Sequence, residues 1–281
     1  MSDTIDLHHL LADAAERLEP LPAAAIELAT VVSQPHAGPD EISAVLGTDP
    51  ALAAHVLREA NSVFSAAQAP VGALEQAVIR IGAARVLEVA VRQQLGDRLE
   101  TDLVLYELEG AERKRLAVAA SKAAGVISVA TPQPVSRVVV CAALLHGIGM
   151  DVIDAVADEH IAASLRRATV SLRQMELELV AADHAEVGGY VLRRWGLPPC
   201  LVDAVEYQHA PDRSVEAAIV CLATDLAAEL LYAGPAVEHD STTLAAITVL
   251  EIEERIDELR DTVRAMLVRD GLLPDEAVPE G

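Results

Sequence analysis

Histidine supplies the clearest prospect of chemistry in this chain, and three of its nine histidines stand apart. His146 lies inside the almost wholly apolar run Val138–Met150, directly before Gly147. His184 shares a helical face with Val187, Val191 and Trp195, at steps of three and four residues. His209 follows Val205 and Val202 by one and two turns. Such spacing lets all three rings approach one interior groove. Neutral imidazoles at converging helix ends can bind a divalent metal, and metal-bound water can attack a phosphoester at neutral pH. Hard hydrolytic cations also want oxygen ligands. Here the residue after His146 is Gly147, and no partner carboxylate accompanies the rings. The expectation is therefore three partly buried histidines satisfied by backbone carbonyls or water, with no bound cofactor. A divalent metal held by His146, His184 and His209 is the alternative. His8, His9, His36, His55, His160 and His239 lie in polar or amphipathic settings and take no role.

The elements that must position these rings are helical almost throughout. Of the 281 residues, 52% are hydrophobic, with one Phe, one Trp and four Tyr, so the core is aliphatic and suits close helix packing. Apolar residues recur at steps of three and four, and Gly and Pro punctuate the runs. Asp49-Pro50 starts a helix, since Asp caps free N–H groups and Pro fits the first turn. Asp183 and Glu186 form a capping box before the helix that carries His184. Helices are also expected over Ala83–Leu95, Thr101–Glu109, Ala111–Ala124, Glu159–Ala168 and Ser214–Tyr232, with a last one from Ser241 to Val268. The run Val138–Met150 reads as a core helix, apolar on every side. The fold class is all-α. Residues 1–14 form an extension, residues 15–212 the main domain (15–130 and 131–212 its two halves), and residues 213–281 further helices and an acidic tail.

Charge narrows the function classes. Forty-four acidic against 21 basic side chains give a net charge of −23. A field of that sign repels phosphate backbones and anionic lipid headgroups. No uncharged apolar run approaches the ~18 residues of a membrane span. The acidic start of the chain lacks the basic-then-apolar order of a signal peptide. A cytoplasmic location is expected, with Cys141, Cys200 and Cys221 as reduced thiols in apolar surroundings.

Several ordered motifs resemble one family. Leu18-Glu-Pro-Leu-Pro22, Thr48-Asp-Pro-Ala-Leu-Ala-Ala54, Arg58-Glu-Ala-Asn-Ser62 and the segment Pro70–Gly82 are similar to the N-terminal half of an HDOD domain. Ala142–Gly149, Asp183–Gly189, Trp195-Gly-Leu-Pro198 and Val205-Glu-Tyr-Gln-His209 resemble its C-terminal half. The resemblance implies an all-α domain, distantly related to HD-type metal phosphohydrolases and common in bacterial signalling proteins. The hydrolytic relatives need a histidine on an early helix, an adjacent His-Asp pair and a later aspartate. The resemblance puts Lys114 at the first of these positions, His146 and Gly147 at the pair, and Thr224 at the last. Asp225 follows Thr224, about 100° further round a helix. The extra histidines of HD-GYP relatives match His184 and His209, with Gln208 replacing the first of a His-His pair.

An HDOD-like scaffold with altered ligand positions implies a non-catalytic signalling module that acts through contacts with other signalling proteins. The net negative charge argues against a direct nucleic acid or membrane partner, and homo-oligomers are compatible with both scaffold and charge. Two alternatives are a residual metal-dependent phosphohydrolase or phosphodiesterase, and a nucleotide-sensing pocket in which Lys114 supplies a fixed positive charge.

Overall fold

Helical spacing becomes helix along most of the chain, and the structure, a computed structural model, describes residues 7–62, 70–157, 171–233 and 241–274. Among the described residues there is no sheet, only one isolated bridge between Leu103 and Leu108. The expected helix Glu159–Ala168 and most of the acidic tail lie outside the described residues.

The first half contains α1 (Leu7–Arg17), α2 (Ala23–Ser33), α3 (Pro39–Leu46), α4 (Pro50–Ser62), α5 (Leu74–Ile81) and α6 (Ala83–Leu99). Asp49 caps α4, its Oδ1 accepting from the N–H groups of Ala51 (2.9 Å) and Leu52 (3.1 Å). Helix α6 continues past Gly96, where the sequence suggested an end. Leu95 and Leu99 explain this, for both are buried and anchor the last turn. Burying each is worth roughly 1.5–3 kcal/mol, against about 1 kcal/mol lost to a helical glycine.

The expected helix at Thr101–Glu109 is instead a tight loop closed by the Leu103–Leu108 pair. Leu103, Leu105 and Tyr106 are all buried. Steps of two and one residues cannot put three side chains on one helical face. The loop returns so closely that a Cβ on Gly110 would lie 1.9 Å from the carbonyl oxygen of Glu100.

The second half is built on α7 (Gly110–Ala130), which packs against α8 (Val139–Leu145) and α13 (Val215–Ala228). Between the latter two come α9 (Ile148–Val156), α10 (Leu172–Val180), α11 (His184–Arg194) and α12 (Pro199–Glu206). Small side chains such as Ala117, Ala120 and Ala124 let the three central helices approach closely. The run Val138–Met150 is not one helix, for it turns at His146 and Gly147 before α9 begins. The turn lays α9 on α11. A Cβ on Gly149 would come within 2.1 Å of the His184 carbonyl oxygen and 2.6 Å of the Gly188 nitrogen. Val139–Val156 is long and apolar enough by composition to cross a membrane, but the bend breaks it into α8 and α9, and 61% of it is buried.

The last expected helix is also two, α14 (Ser241–Leu250) and α15 (Ile256–Arg269). The chain reverses at Glu251, whose φ is +54°. There the Thr131 hydroxyl donates to the Leu250 carbonyl (2.9 Å), and Ile252 is buried in the core. Helix α15 returns along α7, where Arg255 donates to the Ala130 carbonyl (2.8 Å) and Lys122 pairs with Asp270.

Candidate functional site

The capping box at the start of α11 sets the first histidine. Asp183 Oδ1 accepts from the N–H groups of Ala185 (3.1 Å) and Glu186 (3.0 Å), and Glu186 accepts from the Asp183 N–H (3.2 Å). Arg173 Nε donates to the other Asp183 oxygen (2.8 Å). Burial works to raise the Asp183 carboxyl, but the Glu186 N–H and the Arg173 guanidinium outweigh it and hold it below the usual carboxylate range. His184 then stands in the first turn of α11, facing α10.

Helix α10 supplies the carboxylate that the sequence was expected to lack. Glu176 is fully buried. It accepts from His184 Nδ1 (2.9 Å to each oxygen), from the His184 backbone N–H (3.0 Å) and from the Tyr106 hydroxyl (2.8 Å). Burial, and next the adjacent Glu176 carboxylate, push the Tyr106 phenol far up, so it stays a donor. With Nδ1 of His184 donating, a neutral ring presents a lone pair at Nε2. His209 Nε2 lies 3.2 Å from that atom, with the two rings nearly perpendicular. One proton lies between the two Nε2 atoms, and the ring that carries it is the donor. Tyr106, Glu176, His184 and His209 form one hydrogen-bonded chain from the core to the groove. His209 belongs to the turn after α12, and burial, then the neighbouring His184, lower it to about 4.

His146 stands opposite, at the end of α8. Its Nδ1 donates to the Ala143 carbonyl (2.8 Å), and its own carbonyl accepts from Gln208 Nε2 (3.0 Å). Burial lowers His146 to about 4, more than the Ala143 bond raises it, and positive charge on His184 or Arg113 acts the same way as burial. Gln208, itself buried, acts as a clamp on the His146–Gly147 turn. Gly147 leaves room for a larger residue, since a Cβ there meets only the flexible Met150 Sδ, at 3.2 Å.

The three rings border a cavity of about 240 Å³ between α6, α7, α8 and α13. Its walls are mainly aliphatic, including Leu95, Leu99, Leu108, Leu144, Ile148 and Met150. Arg113 also lines it and is almost fully buried. Its guanidinium donates to Asp151 (3.0 Å through Nη1, with a second bond through Nη2) and to the Arg98 carbonyl (3.0 Å). Burial raises the Asp151 carboxyl despite the Arg113 charge beside it.

Lys114 does not reach this cavity. It pairs with Glu100 at the surface, on a separate cleft shared with His55, Arg58 and Arg92. The α7 residue that faces the histidines is its neighbour Arg113. Thr224 and Asp225 both line the cavity, but the Thr224 hydroxyl donates back to the Val220 carbonyl (2.9 Å), and Asp225 accepts from Thr243. Among the described residues, no three His, Cys, Asp or Glu side chains converge closely enough to hold a metal ion.

Glu176, Tyr106, Arg113 and Asp151 were not singled out from the sequence. For Glu176 a signal exists: Leu172, Met175, Leu179 and Val180 trace a helical stripe in which Glu176 occupies an inward position. Arg113 likewise leads the buried stripe Ala117, Ala120, Ala124. Tyr106 has no such signal, because it sits on an irregular loop.

Comparison with known proteins agrees with this architecture. The HDOD domain family matches residues 18–211. The chain is similar to the crystal structure of an HDOD domain protein of unknown function from Geobacter sulfurreducens. The TM-score is 0.65 at 22% identity, over 96% of this chain and 100% of that one. A Shewanella amazonensis SB2B protein, provisionally named a phosphohydrolase, aligns with a TM-score of 0.65 at 23% identity, over 95% and 97% of the two chains. A Marinobacter aquaeolei VT8 protein, provisionally named a signal transduction protein, aligns at 0.66 and 23%, over 96% of this chain and 66% of that one. At these identities the likeness shows the fold alone. No curated protein matches the chain.

Proposed function

Because this chain belongs to the HDOD domain family, we propose that it is a non-catalytic signalling module whose output is contact with other signalling proteins. The observation that carries this reading is Arg113 on the wall of the histidine cavity, paired with Asp151 behind it. A hydrolytic metal centre concentrates anionic and neutral donors around a cation. Here a fixed guanidinium occupies that wall, and its nearest carboxylate is spent neutralising it. The remaining donors are committed too. Glu176 is saturated by Tyr106 and His184, and Gln208 holds a backbone carbonyl. Gly147 offers no ligand atom. The residues present do not fit a hydrolytic metal site, so no reaction step is assigned to one.

One geometric feature favours a second reading. His184 Nε2 and His209 Nε2 are 3.2 Å apart, and Glu176 orients His184 from behind, as carboxylates do for metal-bound histidines. Two imidazoles could hold a cation weakly, which is the residual phosphohydrolase alternative. The nucleotide reading loses its fixed charge, since Lys114 points away from the cavity. A cytoplasmic location and signalling partners remain part of the proposal. The Marinobacter neighbour's provisional name supports the signalling assignment.

The deciding experiment measures metal content of protein purified without chelators, together with turnover of a cyclic dinucleotide and of bis-(p-nitrophenyl) phosphate under added Mn²⁺. We expect less than a tenth of an equivalent of metal and no turnover. Stoichiometric metal, with turnover abolished in His184→Ala, refutes the proposal.

A further inference from the structure

We infer that the histidine cavity is a binding site for a small, uncharged, mainly apolar molecule carrying one hydroxyl group, of the size and polarity of an alkylphenol. Size comes first. A dry apolar cavity of roughly 150 Å³ accepts benzene, and this one, at about 240 Å³, has room for a ring with a short substituent. A nucleotide is larger and brings phosphate charge, and the guanidinium on the cavity wall is already paired. Both Arg113 Nη atoms are engaged by Asp151 and the Arg98 carbonyl.

Polarity comes second. His146 is 93% buried and lines the cavity. Its Nδ1 is used on the Ala143 carbonyl, so the neutral ring carries a lone pair at Nε2, which has no partner among the described residues. That atom opens on the cavity and is not sealed in the core, and an acceptor facing mainly apolar walls favours an incoming donor. A hydroxyl entering among the leucines would satisfy it, while its hydrocarbon body fills apolar space. An anion would meet the same lone pair unfavourably, so a neutral donor is the group selected.

The inference rests on the non-catalytic reading in one respect: His146 Nε2 must be free of metal. The test uses the full-length protein, with its metal content measured on the same sample. Calorimetry and a thermal shift follow 4-ethylphenol, with 4-ethyltoluene, where methyl replaces hydroxyl, and AMP for comparison. We expect one-to-one binding of 4-ethylphenol and a shift of the His146 Nε2 nitrogen resonance. The toluene should bind about fivefold to tenfold more weakly, the worth of one net hydrogen bond, and AMP should not bind. Ala117→Leu fills the cavity from α7 without a polar change and should abolish binding in a folded protein. Metal-free protein that binds no 4-ethylphenol at millimolar concentration overturns this inference alone. Equal affinity for the toluene, or binding untouched by Ala117→Leu, overturns it too. Stoichiometric metal with turnover overturns both this inference and the function proposed above.

Discussion

Replacing Glu176 tests whether the buried chain from Tyr106 to His209 organises this half of the domain. Glu176→Ala removes an acceptor that serves the Tyr106 hydroxyl at 2.8 Å, the His184 N–H at 3.0 Å and His184 Nδ1 at 2.9 Å. Tyr106 is 8% exposed and Glu176 wholly buried, so water cannot take over these bonds without opening the core. Each buried donor left unpaired costs about 1–3 kcal/mol. The backbone N–H of His184 is in the first turn of α11, where no intrahelical partner exists. Against these losses stands the relief of desolvating one carboxylate, worth several kcal/mol before its hydrogen bonds compensate. The balance should be a destabilisation of about 3–5 kcal/mol. Urea unfolding would report it as a fall in the midpoint of roughly 1–2 M. Glu176→Gln keeps the shape and at least one acceptor, so it should cost less than half as much. Its remaining carbonyl oxygen can still accept from His184 Nδ1, which lies 2.9 Å from both carboxylate oxygens. The His184 tautomer should therefore be kept, as read from the ring nitrogen resonances. A folded Glu176→Ala protein destabilised by less than about 1 kcal/mol refutes this reasoning, as does an equal or larger loss in Glu176→Gln.

Three further outcomes are expected. His146 and His209 are both lowered to about 4 from an ordinary 6.5, so the unfolded chain binds more protons between those values. Their contribution is complete above pH 6.5 and falls as pH drops towards 4, with a slope approaching about 1.4 kcal/mol per pH unit for each ring. Urea midpoints at pH 7 and pH 5 check this, and His146→Gln should flatten the dependence. Arg113→Met strands Asp151 in a buried site and should cost about 3–5 kcal/mol at pH 7. Because the uncompensated carboxyl is driven further up, that loss should shrink at pH 4, read from the same unfolding curves. Gly149→Ala sets a methyl against the His184 carbonyl and the Gly188 nitrogen, both backbone. It should lower stability by about 2–4 kcal/mol, seen as a drop in Tm, and should disturb the His184 ring signals, since α9 must lift from α11.

The sequence by itself determined what depends on short-range pattern. Three- and four-residue periodicity specified an all-α chain, Asp49-Pro50 and the Asp183–Glu186 box specified helix starts, and ordered motifs specified the HDOD scaffold. His184 and His209 could be placed on inward faces because both positions follow from local periodicity. Tertiary structure decided what depends on chain crossings. It bent Val138–Met150 at His146 and Gly147 so that Gly149 could meet α11. It carried α6 through Gly96 because two leucines reward the extra turn. It turned Thr101–Glu109 into a loop whose Tyr106 reaches α10. The largest revision concerns the residues around the imidazoles. The choice between Lys114 and Arg113 is a rotation of one residue on α7, which only the packing of that helix fixes. Glu176 and Asp151 became partners of His184 and Arg113 across 8 and 38 residues of chain. Periodicity can mark a side chain as inward, but which polar group meets it there is set by helices that the sequence brings together only once they are packed.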